Sequence, residues 1–260
     1  MLDVLYREVA GFYDALYRKN TVEGKGTACE CDFIEEMLKR NASPVASVLD
    51  IGCGSGMHAA EMANRGYDVL AADLAEEMLQ LARKRNLALG AKIEFMQADM
   101  RNFVTPREFD AIICMTNAFL CNYKDGHVRD ALRCFAASLR PGGVALIEAT
   151  SYPALIAANE FPYTYVDSAE VNGKEVTEIS LNVPDDAKRV LVEMNTYFVA
   201  NGDGTYSKHS SENRLRMLSA PRFKAFLEEA GFQLVEMVDA ETHGTAGSGT
   251  KEFFFIARKL

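Results

Sequence analysis

Between Ser47 and Gly56 an apolar run carries one acid and then gives way to three glycines at alternate positions: Val48-Leu49-Asp50-Ile51-Gly52-Cys53-Gly54-Ser55-Gly56. Glycine lets a backbone approach a ligand with no Cβ in between, so a strand running into such a turn and then a helix is a candidate ligand edge. The spacing narrows the ligand. A dinucleotide fingerprint, Gly-x-Gly-x-x-Gly, would place its third glycine at Met57, and here it is Gly56. A phosphate-binding P-loop would end in Lys-Ser/Thr, which is absent from this turn. A tight strand-to-helix turn with no ligand is the plain alternative. Two further acids argue against it. Asp73 closes Val69-Leu70-Ala71-Ala72-Asp73, and Asp99 follows the next apolar run in Ala98-Asp99-Met100-Arg101. Asp73 taken alone could equally cap the helix opened by Leu74-Ala75-Glu76-Glu77. Three successive strands with an Asp near the carboxyl end favour one shared pocket, in which Asp73 would accept from both hydroxyls of a ribose.

The elements that must position these residues follow from periodicity. Apolar runs at Ser47–Ile51, Val69–Ala72, Ile93–Met96, Ala111–Met115 and Val144–Glu148 alternate with amphipathic stretches at Met57–Asn64, Ala75–Arg85 and Asp125–Leu139. Continuous apolar strands separated by helices predict a doubly wound, Rossmann-like α/β fold, a mostly parallel sheet with helices on both faces. Pro141-Gly142-Gly143 is expected to stop the last of these helices. Beyond Tyr152 the texture changes to strands at Phe161–Val166, Val176–Leu181, Val190–Ala200 and Ser207–Leu218, punctuated by Asn172-Gly173 and Asn201-Gly202-Asp203-Gly204. These predict an antiparallel β insertion. Pro221–Ala230 then reads as a helix, with Gln233–Asp239 and Glu252–Arg258 as a closing hairpin. The expected division is an N-terminal helical cap over 1–44, a main domain over 45–151 and 219–260, and the insertion over 152–218.

Composition excludes several classes. At 260 residues and 48% hydrophobic content the chain can bury one large α/β core. Its net charge of -9 repels phosphate backbones, so no nucleic acid is expected as partner. Arg83-Lys84-Arg85 reads as a solvated helix face. No apolar run reaches the roughly 20 residues of a membrane span, and the start lacks a signal-peptide pattern. Cys29 and Cys31 form Cys-x-Cys with no second pair at zinc-ligand spacing, and the four histidines form no ligating motif. No metal is expected. Reduced thiols and a cytoplasmic location fit best, and a homodimer stays open.

Taken as a set, Asp50-x-Gly52-x-Gly54-x-Gly56, Asp73, Asp99 and the Leu139-Arg140-Pro141-Gly142-Gly143 turn resemble the signature of class I methyltransferases that use S-adenosyl-L-methionine. The resemblance spans about residues 45–150. It implies that Gly52, Cys53 and Gly54 face the methionine part of the cofactor, with Asp50 stabilising the loop. Asp73 would hold the ribose and Leu74 would lie against the adenine. Asp99 would accept from the adenine amino group, Met100 would pack beside the ring, and Met115 would offer its carbonyl to the cofactor's ammonium. S-adenosyl-L-homocysteine would be the product.

Within that family the chain resembles small-molecule N-methyltransferases, both the amino-sugar dimethyltransferase and the glycine N-methyltransferase types. Phe12-Tyr13-Asp14-Ala15-Leu16-Tyr17-Arg18 resembles their Tyr-Asp-x-x-Tyr helix, and Asp99-Met100-Arg101 the sugar type. Thr116-Asn117-Ala118-Phe119 lacks the prolines carried here by amino-group methyltransferases of nucleic-acid bases. The chain also departs from both types. Cys121 stands where a His is common, and Thr150 or Ser151 stands where the glycine type carries an Arg. A small-molecule amine is therefore the expected acceptor, and glycine is not. Methyl transfer is an in-line displacement, so positioning a neutral nucleophile matters more than a strong base. Tyr13, Tyr17 and Asn117 are the candidates to orient it, although both tyrosines would also suit ordinary packing. Residues 152–218 are expected to wall the acceptor site. There Arg214 and Arg216 alternate on one strand and would either grip an anion or lie solvated. Transfer to oxygen, or cofactor binding without transfer, are the competing functions.

Overall fold

The computed structural model describes residues 4–17, 26–42, 44–247 and 249–260. A short helix, α1 (Tyr13–Tyr17), and a longer one, α2 (Thr27–Asn41), precede the first strand, β1 (Ser47–Ile51). Then come α3 (Met57–Asn64), β2 (Asp68–Asp73), α4 (Glu76–Leu89), β3 (Ile93–Gln97), β4 (Phe109–Cys114), α5 (Asp125–Ser138) and β5 (Leu139–Thr150). After α6 (Tyr152–Ala157) the chain makes β6 (Tyr163–Val171), β7 (Lys174–Asp185), β8 (Val190–Ala200) and β9 (Tyr206–Arg216). It ends with α7 (Ala220–Glu229), β10 (Phe232–Asp239) and β11 (Glu252–Lys259).

Seven strands form one sheet in the order β10-β11-β5-β4-β1-β2-β3. The pairs from β5 to β3 are parallel, while β11 runs antiparallel to both β5 and β10. Both faces are covered. Leu49, Ile112 and Ile147 pack with residues of α5 and α7, and Val48, Ile113 and Leu146 with residues of α2 and α3. The doubly wound α/β expectation holds. At β1 the connections run to β2 on one side and β4 lies on the other, and at such a switch point the carboxyl ends leave a crevice for ligands.

The four remaining strands form a separate antiparallel meander, β6-β7-β8-β9. One face packs under the N-terminal segment, where Leu5, Val9 and Leu16 meet Val176 and Tyr197. Arg214 and Arg216 do not act together. Arg214 is exposed on Glu212 (2.7 Å), whereas Arg216, 5% exposed, donates to Asp125 and to the Tyr123 carbonyl at 3.1 Å. Arg216 therefore moors the meander to the start of α5, where Arg222 also pairs with Asp125.

Three local expectations are corrected. The first helical stretch is not continuous: 3-10 turns at Val4–Tyr6 and Ala10–Phe12 lead into the five-residue α1, and Arg18 lies outside the described residues. Leu139 opens β5 instead of closing α5, because it pairs with Phe109 before the register shifts to Ala111 opposite Val144. The Pro141-Gly142-Gly143 segment is the bulge that absorbs this shift, with Gly142 at φ 77. Helix α4 runs on past Arg85 to Leu89 and is closed by left-handed Gly90, whose N–H donates to the Asn86 carbonyl at 2.8 Å. Among the described residues no helix is long and apolar enough to cross a membrane.

Candidate active site

The glycine turn hangs from the end of β2. The N–H groups of Gly52 and Cys53 both donate to the Ala72 carbonyl, at 2.7 and 3.0 Å. Its three glycines differ in what they require. A Cβ on Gly52 would stand 2.7 Å from the Ala118 Cβ, and one on Gly56 2.7 Å from the Ala82 Cβ. Those two positions are closed by packing. Gly54 has φ 54, but its Cβ position meets nothing nearer than Met78 Cε at 3.6 Å and the Tyr13 hydroxyl at 3.8 Å. The turn therefore presents Gly54 toward Tyr13 and leaves backbone accessible there.

Three aspartates ring the turn in different states. Asp50 is 1% exposed, and its Oδ2 has no hydrogen-bond partner among the described residues. Burial pushes its carboxyl up to about 6, opposed by His58 and reinforced by Asp73. Asp73 accepts the Gly54 N–H at 2.8 Å on Oδ2 and the Ala75 N–H at 2.9 Å on Oδ1. It therefore braces the turn and the entry to α4 together, and each oxygen keeps one lone pair. Leu74, 40% exposed, stands beside it as an apolar ledge. Asp99 is gripped by Arg101, whose Nε lies 2.8 Å from Oδ1 and whose Nη2 reaches Oδ2. This fork holds the carboxyl below its ordinary range. An adenine amino group would share Asp99 with Arg101, a competition that the sequence reading did not include. Met100 accepts from Asn122 Nδ2 at 2.9 Å, and its methyl lies 3.7 Å from the Gly52 Cβ position.

Beyond β4 the backbone is strained: Thr116 and Asn117 have φ values of 53 and 61 in succession. The strain is held from β5. Thr116 N–H donates to Glu148 Oε2 at 2.8 Å, and Asn117 exchanges hydrogen bonds with Thr150, Nδ2 to Oγ1 at 2.8 Å and Thr150 N–H to Oδ1 at 2.7 Å. Asn117 was expected to orient the acceptor. Its amide is engaged with Thr150 through both heavy atoms, so it clamps the two strand ends together. Met115 is buried, and its carbonyl accepts the Ala118 N–H at 3.1 Å. Glu148 joins the site without standing out in the sequence as a site residue; burial pushes its carboxyl up to about 7, opposed by the Thr116 N–H. An acid inside an otherwise apolar strand was the available signal.

The two candidate tyrosines lie one turn apart on α1 with rings stacked at 5.3 Å and 17°. Burial, then Asp73, Asp14 and Glu148, raise the Tyr13 hydroxyl pKa. Tyr17 donates to Glu178 Oε1 at 3.1 Å, and the same oxygen receives Tyr197 at 3.0 Å and Tyr165 at 3.3 Å. Glu178 is 1% exposed and was not singled out from the sequence as a site residue. On the same meander face an ordered relay crosses β7 and β8. Asn182 Nδ2 donates to Ser180 Oγ at 2.9 Å, which donates to Asn195 Oδ1 at 2.7 Å. The buried Asn182 Oδ1 is left without a partner. Cys121 is exposed at the end of the 3-10 turn Ala118–Cys121.

This crevice, with a glycine turn at the switch point and a braced acid ending β2, is that of an S-adenosylmethionine-dependent methyltransferase. Residues 48–143 match the methyltransferase domain family. The chain is 27% identical over 228 residues to the dTDP-3-amino-3,6-dideoxy-α-D-glucopyranose N,N-dimethyltransferase of Streptomyces fradiae, covering 87% of this chain and 84% of that one. A solved S-adenosylmethionine-dependent methyltransferase of Clostridium acetobutylicum superposes with a TM-score of 0.80 at 21% identity, covering 98% of each chain. An amino pentose methyltransferase of Micromonospora echinaspora, solved with S-adenosylmethionine bound, gives a TM-score of 0.70 at 25% identity, covering 91% of this chain and 93% of that one.

Proposed function

We propose that the chain methylates an amine nitrogen on a small hydroxylated molecule, with the cofactor held by Asp50, Gly52, Cys53, Gly54, Asp73, Leu74, Asp99, Met100 and Met115. The fit to the cofactor rests on the accessible backbone at Gly54 and on the Asp73 carboxylate that ends β2 beside it. Carboxylates suit a ligand that is cationic at both sulfonium and ammonium. The acceptor class rests on one observation: the meander face beside Tyr17 is polar and buried. It carries Glu178 with three phenol hydroxyls on one oxygen, next to the Asn182–Ser180–Asn195 relay. A buried carboxylate with hydroxyl neighbours favours a cationic amine. The named relatives, which act on amino sugars, support the same reading.

Bound at that site, S-adenosylmethionine would supply the methyl group to the amine nitrogen and leave as S-adenosylhomocysteine. The amine accepts the methyl group in its neutral form, its proton having passed to solvent before transfer. Tyr13 lies against the turn and Tyr17 beside Glu178, so the two rings form a ledge that aligns the nitrogen with the methyl group. Asn117 has the positioning role described above. Six free cysteines support a cytoplasmic location.

The test is a set of acceptors incubated with S-adenosylmethionine: a nucleotide-linked 3-amino sugar, simple alkylamines, glycine and phenols. The amino sugar is expected to yield S-adenosylhomocysteine and a product heavier by one or two methyl groups. Turnover of phenols alone would replace this reading with transfer to oxygen.

A further inference from the structure

Asp14 lies between the two tyrosines in sequence and meets the glycine turn beside Tyr13. Its Oδ1 accepts the Ser55 hydroxyl at 2.6 Å, and its Oδ2 accepts from Arg85 Nη2. Arg85 Nε donates in turn to the Ser55 carbonyl at 3.0 Å. The triangle thus joins three elements: the N-terminal segment through Asp14, the glycine turn through Ser55, and α4 through Arg85. Arg85 is therefore not part of a solvated face, as its sequence setting suggested.

The turn is gripped on adjacent residues by two carboxylates. Asp73 takes the Gly54 N–H from the β2 side, and Asp14 takes the Ser55 hydroxyl from the α1 side. Helix α1 has five residues, far below the length at which a helix holds itself together, so its placement depends on what it touches. With Asp14 fixed, Tyr13 is set against Gly54, and Tyr17 one turn on is set against Glu178. The Arg85–Asp14 pair is about a third exposed (28% and 33%), so it contributes little to global stability. The arrangement is far more specific than that contribution explains.

We propose that Asp14, Ser55 and Arg85 form a latch that couples occupancy of the cofactor turn to the placement of Tyr13 and Tyr17. A cofactor that steadies the turn steadies the latch, and so orders the acceptor-facing tyrosines before the acceptor arrives. The inference rests on the proposed role of those tyrosines; Asp14, Ser55 and Arg85 are positioning residues.

Amide hydrogen exchange on the full chain, with and without S-adenosylhomocysteine, tests the coupling without needing the acceptor. In the unaltered protein the ligand is expected to slow exchange by about tenfold or more both at the turn (52–56) and at the segment 10–17. In Ser55→Ala and in the isosteric Asp14→Asn, slowing at the turn should persist while slowing at 10–17 falls below about twofold. Arg85→Lys keeps the charge but not the Nε contact, and should fall between. Slowing confined to the turn in the unaltered protein would overturn the latch and leave the cofactor reading intact. No slowing at either segment would overturn both. Variants that keep full protection at 10–17, or lose it equally at the turn, would show that the triangle builds structure without coupling.

Discussion

The two sheets differ in how much polarity their middles bury. In the seven-stranded sheet Val48, Leu49, Ile112, Ile113, Leu146 and Ile147 are all at or near zero exposure, and buried polar groups such as Ser47, Asp50 and Asp110 stand at or beside strand ends. The meander buries Glu178, Ser180, Asn182 and Asn195, while Val166, Ile179, Leu181 and Met194 on its other face are 37–64% exposed. Alternation along a strand shows that its two faces differ, but not which one is inside. In the first sheet burial excludes water to stabilise the fold. In the second it seals in polar groups that satisfy one another, leaving Asn182 Oδ1 without a partner among the described residues. Stability and function should therefore be inseparable at the rim of the large sheet and separable on the meander.

The largest effect is expected at the rim. Gly52→Ala combines a positive φ with a Cβ 2.7 Å from Ala118 and should destabilise by roughly 2–5 kcal/mol in denaturant titration. Gly54→Ala meets no such obstacle, so its stability cost should be roughly 1–2 kcal/mol while cofactor affinity still falls. Equal costs for the two would mean that packing does not distinguish these glycines.

Next in size is the pH response. Asp50 at about 6 and Glu148 at about 7 lie above their ordinary values, so the native state holds protons that the unfolded chain has released. The unliganded protein should therefore lose stability as pH rises from about 4 to about 7, by at most about 3 kcal/mol per group. Affinity for the cationic cofactor should rise over the same interval as the two carboxylates ionise. Glu148→Gln should flatten both trends, and unfolding curves at several pH values that coincide for variant and parent would contradict this.

Asp73→Ala strips the acceptor from two backbone N–H groups and should weaken S-adenosylhomocysteine binding by about 1.5–3 kcal/mol by calorimetry. The smallest stability change belongs to the meander. Asn182→Leu loses the bond to Ser180 together with the partnerless oxygen and leaves the Ser180–Asn195 bond, so the two changes offset and stability should shift by no more than about 1 kcal/mol. Acceptor KM should nevertheless rise severalfold with cofactor affinity unchanged. A loss of stability without an acceptor effect would make the polar wall an ordinary core.

The large sheet was legible because apolar runs and glycine spacing are local properties, and the switch point follows from them. The aspartates were legible as strand ends. What each one does was not, because the answer depends on a neighbour: Asp99 on the Arg101 rotamer, Asn117 on Thr150 thirty-three residues away. The meander's strands were readable from their turns, whereas Glu178 looked like any charged residue on an alternating strand until three phenols from distant segments converged on it. The N-terminal segment defeated periodicity because its stripe of Tyr6, Val9, Tyr13, Leu16 and Tyr17 packs as turns and a short helix against the meander.

Strand β11 sits between β5 and β10 although it follows both in the chain. During synthesis β5 therefore waits with an unpaired edge while more than a hundred further residues are added, and β10 has no place in the sheet until β11 emerges. The methyltransferase sheet cannot close from its amino end as it is made. Its last register, Glu252 opposite Thr150 through Arg258 opposite Val144, must form after the intervening meander, which leaves the nascent chain with an exposed edge that invites pairing with other chains.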